Sequence, residues 1–232
     1  MKFILFDIDG TLIDSGGAGV LSLNLAFEEM FSIAHAFKAI PMAGKTDLQI
    51  VAEGLRMHGI ESSNGIVPQF LESYVRHLRN TIDANKGHVK AGIREVLYTL
   101  EGREDIRLGL LTGNIEQGAM LKLKTFGLER YFDIGAFGDD DADRNKLLPI
   151  AVSKLRERKS LTVSFRDCMV IGDTPRDIEC SRPYGAFSVA VATGPYPLNV
   201  LSEAGADVLF KDLSDTEGFL NVLNNYSSYR MS

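Results

Sequence analysis

Apolar residues run in short unbroken blocks along this chain, and several of those blocks stop at a glycine or a carboxylate. Phe3 to Phe6 is the first, halted by Asp7. A continuous apolar run of that length predicts a strand covered on both faces. Ile106 to Asn114 and Cys168 to Asp177 repeat the pattern, Phe132 to Asp143 and Ala186 to Gly194 predict two more strands, and Ala206 to Phe210 a weaker sixth. Between them, over Gly92 to Glu101, Glu116 to Leu128 and Lys146 to Arg158, apolar residues recur at spacings of three and four, as a helix with one buried face requires. Strands alternating with helices predict the α/β class with a doubly wound parallel sheet.

Residues 15–86 break the alternation. Ala18 to Phe31, Thr46 to Gly59 and Val67 to Ile82 carry helical periodicity with no strand pattern among them. The division that follows is a sheet domain of residues 1–14 and 87–232 with a helical cap, residues 15–86, inserted after the first strand. The glycine-bearing stretches Ser15 to Gly19 and Asn85 to Gly92 flank the insert and read as flexible connections, placed as hinges for closure over a site.

Composition narrows the picture without redirecting it. Hydrophobic residues at 45% and charged residues at 24% are ordinary for a globular chain. A net charge of −6 argues against a general nucleic-acid or anionic-membrane surface. Cys168 and Cys180 read as reduced, buried thiols in a chain large enough to need no disulfide framework. The amino-terminal apolar stretch is too short for a signal sequence and no other stretch is apolar enough to span a bilayer, so a cytoplasmic protein is expected.

The chemistry lies where the strands stop. Asp7 and Asp9 are two apart, so on an extended segment both carboxylates face one side. Like charges that close call for a cation, a shared proton or solvent. In open parallel sheets the ligand sits beyond the carboxyl ends of the strands. There the first, second and fourth strands bring Asp7 with Asp9, Thr112 with Gly113 and Asn114, and Asp173 with Asp177. Carboxylates from two strand ends suit Mg²⁺ bridging to a phosphate, and a hydroxyl followed by turn amides suits phosphate oxygens. Leu12 stands where a calcium-binding loop needs glycine, which excludes that motif.

Other polar clusters read more plainly. The acidic run Asp139, Asp140, Asp141 and Asp143 reads as a solvated loop. His35, His58, His77 and His88 lack metal-ligand spacing. Gly16, Gly17 and Gly19 do not form a dinucleotide fingerprint. Lys45 and Thr46 are either substrate contacts or part of a helix start capped by Thr46 or Asp47.

These motifs resemble those of the haloacid dehalogenase superfamily, in its phosphoglycolate phosphatase-like branch. Asp7 to Asp14 fits the first motif Asp-x-Asp-Gly-Thr-Leu-x-Asp, Leu110 to Asn114 the second, and Val170 to Ile178 the fourth; Met42 to Val51 is similar to part of that branch's helical cap. The resemblance implies a Mg²⁺-dependent phosphatase acting on a small phosphorylated metabolite. Asp7 would be the nucleophile that carries an aspartyl-phosphate, and Asp9 the general acid and base. The ion would be held by Asp7, the Asp9 backbone carbonyl and Asp173, with Asp177 in support. Gly10 and Thr11 would shape the turn beside substrate.

The third motif, a lysine usually followed by proline, is not kept: Arg144 aligns with it and Lys146 is the second candidate. A guanidinium would neutralise phosphate and nucleophile with two contacts. A sugar phosphomutase shares every core motif, a phosphonatase would need a cap lysine such as Lys38 or Lys45, and a non-catalytic binding protein would have little reason to keep the opposed carboxylates. Asp9 argues against a dehalogenase, which has no alkoxide to protonate.

Overall fold

A computed structural model describes residues 1–62 and 65–229 of the chain, with side chains described to residue 225. The central strand β1 (Lys2–Phe6) pairs in parallel with β4 (Ile106–Leu111) on one side and β6 (Cys168–Gly172) on the other. Beyond β4 lies β5 (Gly135–Ala136), and beyond β6 lie β7 (Phe187–Val191) and β8 (Val208–Phe210). The order β5-β4-β1-β6-β7-β8 is parallel throughout. The chain passes from β1 to β4 and β5 on one side and then crosses from β5 to β6 on the other, so the crevice opens at the carboxyl ends of β1, β4 and β6.

Both faces of β1 are buried, as its unbroken apolar run requires. Ile4 and Phe6 pack with α4 (Ile93–Leu100), α5 (Glu116–Thr125) and α9 (Thr216–Tyr229) through Val96, Leu123 and Phe219. Phe3 and Leu5 pack on the other face with α6 (Leu147–Lys159), through Leu148 and Leu155, and with Cys180 of α7 (Pro175–Ser181). Each such side chain contributes about 1.5–3 kcal/mol on burial, so the strand ends are held by a rigid scaffold. The short α8 (Leu198–Glu203) covers Ile178 and Ala190 through Leu201.

The insert builds its own apolar cluster. Helices α1 (Ala18–Phe31), α2 (Asp47–Met57) and α3 (Ile66–Thr81) converge on Phe27, Phe37 and Phe70. Phe27 meets Phe37 edge-on at 5.3 Å and Phe70 at 6.0 Å between ring centroids. The cluster also takes in Ile115, where the chain leaves β4.

Two expectations are corrected. The stretch Phe132 to Asp143 is strand only at Gly135–Ala136. Its carboxylates turn the chain instead: Asp140 accepts from Phe137 N at 2.9 Å and Asp143 from Asn145 N at 3.0 Å. Of the two flanks, Asn85 to Gly92 is not all loose connection either, because its β3 (His88–Val89) pairs as an antiparallel ribbon with β2 (Ile13–Asp14), just ahead of the other flank, with Ile13 opposite Val89. Among the described residues, no helix is long and apolar enough to cross a membrane.

Candidate active site

The apolar run stops at Phe6 because the next position must hold a charge. Asp7 N continues the ladder to Ile171 O at 2.9 Å, and its buried carboxylate stands at the strand end. The extended geometry does not reach Asp9. The chain turns there, Gly10 adopts a φ of +86°, and a Cβ on Gly10 would lie 2.4 Å from Asp173 Oδ2. Only glycine fits that turn and that approach.

Asp7, Asp173 and Asp177 form one buried group whose ligand oxygens lie within 4.8 Å of one another. The Arg144 guanidinium reaches into it, 3.3 Å from Asp7 Oδ1 and hydrogen-bonded to Asp177 Oδ1. Three carboxylates around one cation leave negative charge in a buried place. Burial pushes the Asp7 carboxyl up to about 6, against the pull of Arg144, and burial followed by the charges of Asp7 and Asp177 raises Asp173 far above the usual range. Desolvation works against the Arg144 charge, but Asp177 and Asp7 outweigh it and hold the guanidinium protonated. Lys146, the other candidate, is exposed and pairs with Asp141 at 3.1 Å.

The three carboxylates do not offer themselves equally. Asp177 is committed within α7's amino-terminal turn, its Oδ2 accepting from Thr174 N at 3.0 Å and from the Thr174 hydroxyl at 2.7 Å. Asp173 Oδ1 accepts from the Thr11 hydroxyl at 2.9 Å, while Oδ2 lies where Gly10 and Gly194 leave room that a Cβ would fill. This all-oxygen set, excess in negative charge and walled by glycine, fits a divalent cation.

Asp9 faces a different partner. Lys122 Nζ lies 2.5 Å from its Oδ2, Asn114 Nδ2 donates to the same oxygen at 2.9 Å, and the Ser15 hydroxyl donates to Oδ1 at 3.1 Å. Burial alone would raise this carboxyl; Lys122, with Asn114 and Ser15, more than reverses it and holds Asp9 below the usual range. The two aspartates two residues apart therefore serve two environments, because the strand geometry that would have aligned them ends between them.

A cavity of about 440 Å³ opens over this group, and Asp7, Asp9, Gly10, Lys45, Gly113, Asn114, Arg144 and Asp173 line it. Thr11, Thr46, Thr112 and Asp177 are predicted site residues that stand behind the wall. Thr112 is fully buried and its hydroxyl accepts from Asn114 Nδ2 at 2.9 Å. Thr46 caps α2 through Gln49 N at 3.2 Å and donates to Ala142 O at 2.8 Å, as the helix-start reading expects, and does not itself line the cavity. None of the four histidines lines the cavity.

Sequence reasoning missed Lys122, Asp47, Tyr74, Thr193 and Gly194. Lys122 had a signal: it falls with Gly118, Ala119 and Leu123 on the buried stripe of α5, where a cation needs a partner. Asp47 likewise sits buried at α2's first turn and accepts from Ile115 N at 2.9 Å, with burial pushing its carboxyl up to about 6. Thr193 and Gly194 follow β7, and Thr193 donates to Gly10 O at 2.6 Å.

Comparison with known proteins agrees with this geometry. A family model described as haloacid dehalogenase-like hydrolase matches residues 4–191. A phosphoglycolate phosphatase of Xanthomonas campestris pv. campestris is 27% identical over 195 residues, covering 83% of this chain and 84% of that protein. The pyrophosphatase PpaX of Halalkalibacterium halodurans is 23% identical over 222 residues, 94% of this chain and 96% of its own. The crystal structure of a hydrolase from Pseudomonas syringae shares the fold, with a TM-score of 0.69 at 23% identity over 98% of this chain and 99% of that one. With motif-bearing strand ends, a buried carboxylate group and a family match across most of its length, the chain belongs to the haloacid dehalogenase-like hydrolase family.

Proposed function

We propose that the protein is a Mg²⁺-dependent phosphatase that hydrolyses the monoester of a small phosphorylated metabolite through an aspartyl-phosphate on Asp7. The observation that carries this reading is the position of Asp7, buried at the end of β1 with Arg144 at 3.3 Å and Asp173 and Asp177 in the same group. Asp7 attacks phosphorus and the ester oxygen leaves with a proton that Asp9, ionised at rest beside Lys122, first takes up from solvent; water, deprotonated by Asp9, then attacks the aspartyl-phosphate and releases inorganic phosphate. Arg144 offsets the repulsion between the anionic nucleophile and the phosphoryl oxygens. Gly113 and Asn114 border the cavity beside Asp7, where backbone N–H and amide groups suit phosphate oxygens.

Asp7, Asp173 and the Asp9 backbone carbonyl are the groups that would hold Mg²⁺, with Asp177 orienting Arg144 and supporting from behind. The ion supplies charge neutralisation and orientation of the phosphoryl group. Residues 15–86 act as a cap on the sheet domain of residues 1–14 and 87–232, the β2–β3 ribbon carrying the two crossings of the chain between them.

The test is phosphate release from p-nitrophenyl phosphate and a panel of metabolite phosphates, with Mg²⁺ and with EDTA, for the wild type and Asp7→Asn. Release that needs both Mg²⁺ and Asp7 is the expected result. Release unaffected by EDTA, or undiminished in Asp7→Asn, contradicts it.

A further inference from the structure

The cavity has a second end, away from Asp7, formed by the helical insert. Val20, Leu23, Met42, Ile50 and the ring of Tyr74 line it, and Leu23, Ile50 and Tyr74 are themselves buried. A substrate carbon skeleton placed there removes apolar area from water, at about 25 cal/mol per Å².

The lysines that line the cavity already face resident carboxylates. Lys122 Nζ lies 2.5 Å from Asp9 Oδ2, Lys45 Nζ 2.5 Å from Glu53 Oε2, and Lys90 Nζ 3.5 Å from Asp14 Oδ2. Asp47 adds a further buried carboxylate to the lining. A second anionic group entering with the substrate would have to displace a resident carboxylate from its lysine or lie desolvated beside it. Either course weakens binding, where a neutral group meets no such opposition.

One polar tip is differently placed. Tyr74 is 1% exposed, yet its hydroxyl makes no hydrogen bond to any of the described residues, and the side chain lines the cavity. The hydroxyl opens on the cavity, where a polar group of the substrate can reach it.

We infer that the substrate's leaving group is a neutral alcohol with an apolar body, carrying at most a hydroxyl or carbonyl that pairs with Tyr74. The inference rests on the phosphatase reading and narrows it: the carboxylate of phosphoglycolate and the second phosphate of pyrophosphate have no waiting cation here. The reaction remains simple hydrolysis, in which the phosphorus to ester-oxygen bond breaks, a water oxygen bonds to phosphorus and the alcohol oxygen keeps a proton.

The experiment compares kcat/KM, in the presence of Mg²⁺, for pentyl phosphate, its ω-carboxy counterpart of equal chain length, phosphoglycolate and pyrophosphate. The matched pair differs in charge at the far end and hardly in leaving-group basicity. Pentyl phosphate is expected to exceed the ω-carboxy ester by tenfold or more, which corresponds to about 1.4 kcal/mol of transition-state discrimination. Val20→Lys, at a position 45% exposed on α1 and away from the reacting groups, is expected to shrink that ratio by raising the ω-carboxy ester. Tyr74→Phe is expected to slow an ω-hydroxy ester while sparing pentyl phosphate, and equal effects on both would remove Tyr74 from the account. Equal or better use of the ω-carboxy ester, phosphoglycolate or pyrophosphate overturns the inference and leaves the phosphatase reading standing. No phosphate release from any of these or from p-nitrophenyl phosphate overturns the phosphatase reading itself, and this inference with it.

Discussion

Lys122, on a helix that otherwise buries small and apolar residues, sets its ammonium 2.5 Å from Asp9 Oδ2 and 2.6 Å from Asn114 Oδ1. The lysine side chain is 4% exposed and that of Asp9 is 40% exposed, so the cation is buried while its carboxylate stays open to the cavity. It fixes which way Asp9 points, and it ties the carboxylate to the amide that follows β4.

Lys122→Met therefore lowers kcat by roughly 10²-fold, the scale on which a misplaced general acid and base costs turnover. Lys122→Arg, which keeps a cation on the same helix face, recovers part of the loss. Steady-state kinetics of the two variants measure this; a wild-type kcat in Lys122→Met would show that Asp9 is not positioned through the lysine.

Arg144 is paired with two buried carboxylates, and removing one partner of such an arrangement leaves the others uncompensated. Arg144→Ala is expected to lose roughly 3–5 kcal/mol of stability together with turnover. Arg144→Lys, which restores the residue usual in the family's third motif but not the guanidinium shared by Asp7 and Asp177, should fold better than Arg144→Ala and work more slowly than the wild type. Denaturant titrations in EDTA give the stability order, and equal stability of all three proteins contradicts the pairing.

Much of this arrangement was legible beforehand, because strands buried on both faces leave long apolar runs and motif residues fall where those runs end. Asp7 and Asp173 could be named from the chain for that reason, and Arg144 from its alignment with the resembled family's third motif. The orientation of Asp9 could not. Spacing by two describes an extended segment, whereas Gly10's positive φ turns the backbone just after Asp9. Thr46 and Thr112 read as substrate contacts in the sequence, but the Thr46 hydroxyl is held between Gln49 N and the distant Ala142 O, and that of Thr112 sits against Asn114 and Asp7. The ribbon between Ile13–Asp14 and His88–Val89 is too short to leave a periodic trace, and only the fold brings its halves together.

Gly194 probes the cation site without touching a carboxylate. A Cβ there would lie 1.7 Å from Asp173 Oδ2, so Gly194→Ala must push Asp173 aside. The expected result is a Mg²⁺ concentration for half-maximal activity raised tenfold or more. An unchanged Mg²⁺ dependence would remove Asp173 from the ligand set.

Asp47 gives a pH signature in stability. Its carboxyl stands at about 6 in the folded protein, raised by burial above an ordinary 3.8. A raised carboxyl favours folding when protonated, so its contribution is complete below the unfolded value and is lost as pH climbs through about 6. The loss amounts to roughly 3 kcal/mol by pH 8. Asp47→Asn keeps an oxygen acceptor for Ile115 N but cannot ionise, so the variant gains stability relative to the wild type as pH rises from about 4 to 8. Denaturant unfolding across that range reads the difference directly, and a difference that stays flat contradicts a buried, ionising Asp47.

The account stands or falls on Asp7 as the atom that takes the phosphoryl group. The direct measurement is mass analysis of the enzyme quenched in acid during turnover of p-nitrophenyl phosphate with Mg²⁺, followed by fragmentation of the amino-terminal peptide. The account predicts a phosphoryl adduct on Asp7 in the wild type, with neither adduct nor turnover in Asp7→Asn. An adduct on another residue, or an Asp7→Asn protein that turns over at the wild-type rate, would contradict it.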